Sequence, residues 1–333
     1  MLLPTTQGGD PSESVFTWAP SDDDFVTALS AVLASSSSSS SSSLKGGLRS
    51  LRIHLPAGSV IVLGEESITL SQNSMRLAIV GLGEGCRLVG SGYCLFHVRG
   101  RKTRLSLTNL VMHHTCVRTD KREIGACVFG LAQSTCELHG CALTSEAGFA
   151  AWVVQRATLT LTECKITSIR RSGLVAFGDA VVSVADSNVV GNFIHGICSR
   201  GRVRLRVENT LFESNGVRAL YAYQACSLLL KGCVVRGTRD PTHSAVSVFH
   251  CQGVSQPLYI TSCRFADNAG AALTIAGVTA SVLRGNIADC LLLCADGSEE
   301  PLKPIFSDAS LAVEKEREEE EGKRKGEGGE TCH

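Results

Sequence analysis

The chain predicts an all-β solenoid, a parallel β-helix of about ten coils. Three observations predict it: a repeat of 23 residues, apolar residues alternating at period two inside each repeat, and glycine or asparagine at fixed offsets. Counting starts from Cys164 in TLTLTECKI, with Leu159 and Leu161 five and three residues before it and Ile166 two after. Steps of 23 reach Ser187, Thr210 and Cys233 with apolar residues in the same slots, and a step back reaches Cys141. Leu110 centres an earlier, less regular member. The period stretches to 30 at Cys263 and is expected to return to 23 at Asn286.

Alternation puts Leu159 and Leu161 on one face of a strand and Thr158 and Thr160 on the other, so each coil contributes inward apolar residues. Helical repeats are longer and follow a 3.6-residue period, whereas these segments are β-branched at period two. Asn192, Asn215 and Asn268 each sit five residues after a marker, where tight corners need their short polar side chains.

The elements follow in order. Residues 1–20 read as a flexible N-terminus. Residues 21–34 read as an amphipathic capping helix, N-capped by Ser21 or Asp22, with Phe25, Leu29, Val32 and Leu33 as its apolar stripe. Its expected place is over the open end of the solenoid. A serine-rich loop, 35–44, follows, then the β-helix domain, 45–297, and a charged, partly disordered tail, 298–333, ending EKEREEEEGKRKGEGGETCH.

Composition narrows function. The formal net charge is zero, so nothing global calls for nucleic acid or an anionic membrane. The opening MLLPTTQGGD has neither the basic nor the apolar region of a signal peptide, and CLLLCA is too short to span a bilayer. Fifteen cysteines, an odd number in a chain of 333 residues, fit free thiols in a reducing compartment, and a cytoplasmic location is expected. Cys141, Cys164, Cys233 and Cys263 should point inward and stay unbridged, because stacked Cβ vectors run parallel.

The run from CKI through GLVAFGDAVVSVADSNVVGN, IHG and VRLRVENTLFESNG resembles the right-handed parallel β-helix repeats of the pectate-lyase-like superfamily. The resemblance covers roughly residues 21–297, including an upstream helix and the strands LRIHLPAGSVIVLGEESITL and LAIVGLGEGCRLVG. It implies the fold, and it leaves function open between polysaccharide lyase, glycoside hydrolase and non-catalytic binding domain. The hydrolase pattern would need paired carboxylates and a Gly-His-Gly. Here His195-Gly196 follows Ile194, and Asp22, Asp23 and Asp24 lie in the capping helix. The lyase pattern would need acidic residues holding calcium, yet Asp179, Asp186, Asp240, Asp267 and Asp289 share no single offset.

Other constellations read as structural. His113, His114 and Cys116 lack the spacing of a metal site, Cys290 and Cys294 read as buried thiols, and GLGEGC at 81–86 reads as a corner between strands. No cofactor or metal is expected.

The candidate binding residues come from the register. His195 and Arg218 each lie eight residues after a marker and should be stacked neighbours, with Arg171 at nearly the same offset. A three-residue insertion in the next coil carries Arg239 and His243. Arg202, Arg204 and Arg206 alternate with Val203, Leu205 and Val207 as an outward basic row. Together they imply a non-catalytic module whose partner is acidic, an anionic glycan or an acidic protein segment. The alternative is a divergent carbohydrate-active enzyme.

Overall fold

The computed structural model describes residues 2–4, 13–19, 25, 27–29, 31–32, 49–71, 75–115, 125–250, 257–277, 287–293, 298–303 and 305–307. Three sheets run the length of the molecule, with 12, 11 and 10 strands, and are here named A, B and C. Within each, consecutive coils pair in parallel, so the chain passes A to B to C and returns to A one level higher. Among the described residues nine complete coils stack, from Arg49–Leu55 in sheet A to Leu273–Ala276 in sheet C. A tenth level has Ile287–Ala288 in sheet A and Leu291–Leu293 in sheet B.

The register confirms the 23-residue period through the middle of the chain: Leu159 pairs Val182, Val182 pairs Leu205 and Leu205 pairs Leu228. Inward columns such as Leu161, Val184, Val207, Leu230 and Ile260 are fully buried, and one continuous core runs through the solenoid. The expected return to 23 after Cys263 is corrected. Phe265 pairs Leu292 and Ile260 pairs Ile287, so the marker after Cys263 is Cys290, 27 residues on; Asn286 itself lies outside the described residues.

The marker column has a sharper cause than small size. The residue before each marker has positive φ at the corner between sheets A and B: Asn109 54°, Gly140 61°, Glu163 55°, Asp186 50°, Asn209 47°, Gly232 63°, Ser262 55° and Asp289 54°. Asn, Asp and Gly tolerate this left-handed conformation best, which accounts for their frequency there. The marker then donates to the carbonyl two residues back. Cys164 Sγ reaches Thr162 O at 3.3 Å, Ser187 Oγ reaches Ala185 O at 2.6 Å, Thr210 Oγ1 reaches Glu208 O at 2.8 Å and Cys233 Sγ reaches Lys231 O at 3.4 Å. Cysteine, serine and threonine interchange because each brings a short side-chain donor to the same turn.

The B-to-C corner uses asparagine. Asn192 and Asn215 are fully buried; Asn192 Nδ2 donates to Ile166 O at 3.3 Å and to Asn215 Oδ1 at 2.8 Å, while Ser168 N donates to Asn192 Oδ1 at 2.7 Å. Asn215 Nδ2 donates to Val189 O at 3.0 Å and Asn268 Nδ2 to Val235 O at 3.0 Å. Each amide thus satisfies backbone groups that the turn withdraws from the sheets.

The ends carry more structure than residues 1–20 as a flexible segment and 298–333 as a tail suggest. Glu13–Trp18 pairs in parallel with Arg49–Leu55, Leu2–Pro4 pairs antiparallel with it, and Ile305–Ser307 pairs Leu273–Ala276. Residues 25, 27–29, 31 and 32 are helical; Phe25 and Leu29 are buried, and Phe25 meets Trp18 edge to face at 5.1 Å. The apolar alternation in ESVFTW gives that strand its reason: Trp18 closes the core beneath the helix. The serine-rich loop and the tail beyond Ser307 lie outside the described residues.

Eleven described cysteines carry no disulfide, and burial pushes the thiols of Cys127 and Cys136 up to about 12, leaving them protonated and unreactive. Titration of the denatured, unreduced protein with a thiol reagent is expected to count close to the fifteen cysteines of the sequence. A count near one would contradict both the free thiols and the reducing compartment.

Candidate functional site

The eight residues singled out from the sequence fall into three places. Arg171, Arg239 and His243 lie in the B-to-C corners; His195 and Arg218 open strands of sheet C; Arg202 occupies a C-to-A corner, with Arg204 and Arg206 on the outer face of sheet A. His195 pairs directly with Arg218, as the register predicts. Arg171 is one residue out of that column: the Ser172 hydroxyl accepts the His195 N–H at 3.3 Å. The three-residue insertion is confirmed, since Leu220 pairs Val246, 26 residues on. In it, His243 Nδ1 lies 3.2 Å from Asp240, and Arg239 reaches back to Asn192 O at 3.5 Å. Burial alone would raise the Asp240 pKa, but hydrogen bonds from Thr242 and His243 more than offset it and hold it below the usual range.

Arg218 is not a solvated cation on a ridge: it is only 6 % exposed, its Nε donates to Ser247 Oγ at 3.1 Å, and its guanidinium lies 4.6 Å from the centre of the Tyr221 ring. The start of a strand is ordinarily wet, but here the Tyr221 ring, three residues along the same strand, covers the arginine from one side and Ser247 of the next coil accepts from it. The basic row on sheet A is also partly neutralised. Arg202 holds Asp179 at 2.8 Å, Arg206 holds Glu208 at 2.7 Å, and Arg202, with Arg156 behind it, keeps the Asp179 carboxyl below its usual range.

The outer face of sheet C is richer than the sequence reading foresaw. His97, Phe129 and Trp152 sit side by side on adjacent coils, with ring centres 5.3 Å and 4.5 Å apart and nearly parallel planes. Farther along, Tyr221 and Tyr223 project from one strand, Phe249 meets Tyr221 edge to face at 5.9 Å, and the His195 ring lies 5.4 Å from Tyr221. Arg200 lies 5.5 Å over the Tyr223 ring, the counterpart of Arg218 over Tyr221. Sheet C therefore offers two arginine–tyrosine stacks with a histidine beside them. The signal was present in RALYAYQ, where alternation places Tyr221 and Tyr223 outward; the pairing of Tyr223 with Arg200 across coils needed the register.

Other candidates resolve as structure. His114 is buried, with Nε2 2.7 Å from Gly92 O and Nδ1 3.0 Å from Ser145 Oγ, so the ring donates to one and accepts from the other. Burial lowers its pKa and keeps it neutral. Among the described residues no three His, Cys, Asp or Glu side chains converge on a metal position. No described helix is long and apolar enough to cross a membrane.

Parallel sheets closing round one core define a parallel β-helix domain. Residues 151–290 match the family described as right handed beta helix region, so the domain is a right-handed parallel β-helix. No curated protein matches the chain. Among solved structures it is similar to a protein of Geobacillus virus E2, ORF18, at 8 % identity and a TM-score of 0.45, covering 80 % of this chain and 54 % of that one. It is similar to the Dettilon tailspike protein at 11 % identity and a TM-score of 0.38, covering 82 % and 66 %. A periplasmic alginate epimerase is similar at 10 % identity and a TM-score of 0.27, covering 78 % and 77 %. The chain thus spans about half of the first structure and just under two thirds of the second.

Proposed function

We propose that the domain is a non-catalytic binding module that holds an anionic glycan across the outer face of sheet C. The observation that carries this reading is the pair of arginine–tyrosine stacks, Arg218 on Tyr221 and Arg200 on Tyr223. The exposed guanidinium of Arg200, resting on the Tyr223 ring, is held in place to fork onto a carboxylate or sulfate with little further ordering, while the buried Arg218, bonded to Ser247, braces Tyr221 beside it. The tyrosines add flat amphipathic area for sugar rings at low entropic cost.

The chemistry of the face favours binding over turnover. The outward columns through His195 and Arg218, through Cys198, Tyr221 and Ser247, and through Arg200, Tyr223 and Phe249 contain no carboxylate. Glycoside hydrolysis needs two of them flanking the bond. The nearest corner acids, Asp179 and Asp240, are engaged by Arg202 and His243.

Calorimetry against uronate polymers, sulfated glycans and neutral glycans tests the reading, with the same mixtures assayed for unsaturated and reducing-end products. Binding of an acidic polymer without product is expected, weakened about tenfold by Arg200→Ala or Tyr223→Ala. The double variant Arg171→Ala, Arg239→Ala should bind and fold as the parent does, since charges at half-buried and exposed corner positions contribute little to stability. Arg218→Ala should lose about 1–3 kcal/mol of stability because Ser247 loses its buried partner. Acidic and neutral polymers bound equally, or binding indifferent to Arg200 and Tyr223, would overturn the proposal. Released product would transfer the face to an enzyme.

A further inference from the structure

The outer face of sheet A breaks its own pattern between coils six and nine. In coils three to five that face is polar, with Ser106, Glu137 and Thr160 in one column. From there the column runs Ser183, Arg206, Leu229 and Tyr259, beside a second column of Val181, Arg204 and Ser227. Val181, Leu229, Pro257 and Tyr259 thereby line an open groove of about 370 Å³ between the arginines. Tyr259 is 46 % exposed, an unusual position for a large ring on a solvent face.

The three arginines of the row differ in one respect. Arg202 is tied to Asp179 and Arg206 to Glu208, whereas Arg204, exposed and set between them beside the groove, has no carboxylate within ion-pair distance among the described residues. An apolar trough with a single uncommitted guanidinium on its wall complements a ligand that is apolar along its length and carries one anionic group.

We infer that this groove docks an extended peptide segment in which an Asp or Glu stands next to aliphatic or aromatic residues. The carboxylate forks onto Arg204, and the neighbouring apolar side chains pack on Val181, Leu229, Pro257 and Tyr259. A glycan fits poorly because most of its hydroxyls would be desolvated over the carbon of Val181, Leu229 and Pro257. A nucleic acid fits poorly because, among the described residues lining the groove, Arg206 is already held by Glu208 and Arg204 alone remains, too little to track a phosphate chain. Tyrosine and arginine at the centre of an otherwise apolar patch are the residues that dominate protein interfaces. The groove is on a different sheet from the arginine–tyrosine stacks and does not depend on the glycan reading.

Selection of phage-displayed random dodecapeptides on the full-length protein tests this, with the enriched sequences synthesised and measured by fluorescence anisotropy. Enriched peptides are expected to pair an acidic residue with Leu, Phe or Tyr, and to lose about tenfold in affinity on Arg204→Ala. Tyr259→Ala should weaken them similarly, Arg206→Ala much less because Glu208 already occupies that guanidinium, and Tyr223→Ala on sheet C not at all. Selection that returns no consensus or a basic one, or peptides that bind Arg204→Ala as tightly as the parent, would overturn the inference. So would sedimentation showing self-association that Tyr259→Ala abolishes, since the face would then belong to a second copy of this chain.

Discussion

Asn192→Ala is expected to lower the stability of the domain by about 2–5 kcal/mol, a large effect for one polar side chain. The residue is fully buried, and its amide serves Ser168 N, Ile166 O and Asn215 Oδ1 together. Alanine removes the amide without supplying replacements, so two buried backbone groups lose their partner and the Asn215 amide beside them loses one of its own. Asn188→Ala, at an exposed position four residues earlier, should stay within about 0.5 kcal/mol of the parent. Urea denaturation followed by far-ultraviolet circular dichroism measures both. Equal midpoints for the two variants would show that the corner amides do not hold the coils.

Phe212→Ala should cost about 3–5 kcal/mol, since the ring is fully buried among the largest core side chains and its removal leaves a cavity that neighbouring coils cannot fill. The form of the loss is as informative as its size. In a solenoid each coil touches only the coils above and below, so a lesion in the seventh of nine coils uncouples the two flanking blocks. The denaturation curve is therefore expected to broaden or split, with amides of the later coils exchanging before those of the first five. Phe193→Ala, with the ring 61 % exposed in a corner, should leave the curve unchanged.

The period was legible in the sequence because one corner imposes it. A left-handed residue followed by a short donor recurs wherever sheet A turns into sheet B, and Asp186-Ser187, Asn209-Thr210 and Gly232-Cys233 satisfy the same geometry with different letters. Where corner length changes, counting fails. Asn286 stands at the expected 23 from Cys263, but Cys290 makes the turn, donating to Ala288 O at 3.4 Å. The strand Glu13–Trp18 was hidden for a different reason: it precedes the helix and lies outside the repeat that identifies the others.

The binding face was legible only in part. Register alone put His195 against Arg218, because pairing in a parallel stack is arithmetic. Arg218 burial was not legible, since alternation separates inward from outward but says nothing about which side chains fold over a residue at the start of a strand. The contrast between Arg204 and its neighbours was equally invisible: Asp179 and Glu208 find Arg202 and Arg206 only once side chains are placed.

The recurring corners have a consequence for how the molecule measures its surroundings. The described B-to-C turns of successive coils each lie one level above the last, so they form graduations about 4.8 Å apart. The segment around Arg239 and His243 shows that a graduation can carry a longer arm while Leu220 and Val246 stay paired beneath it. Two arms grown on different levels would be separated by a whole number of divisions. Gaining or losing one 23-residue unit between them would then change the distance a partner must span by a single division, leaving the chemistry of both arms intact.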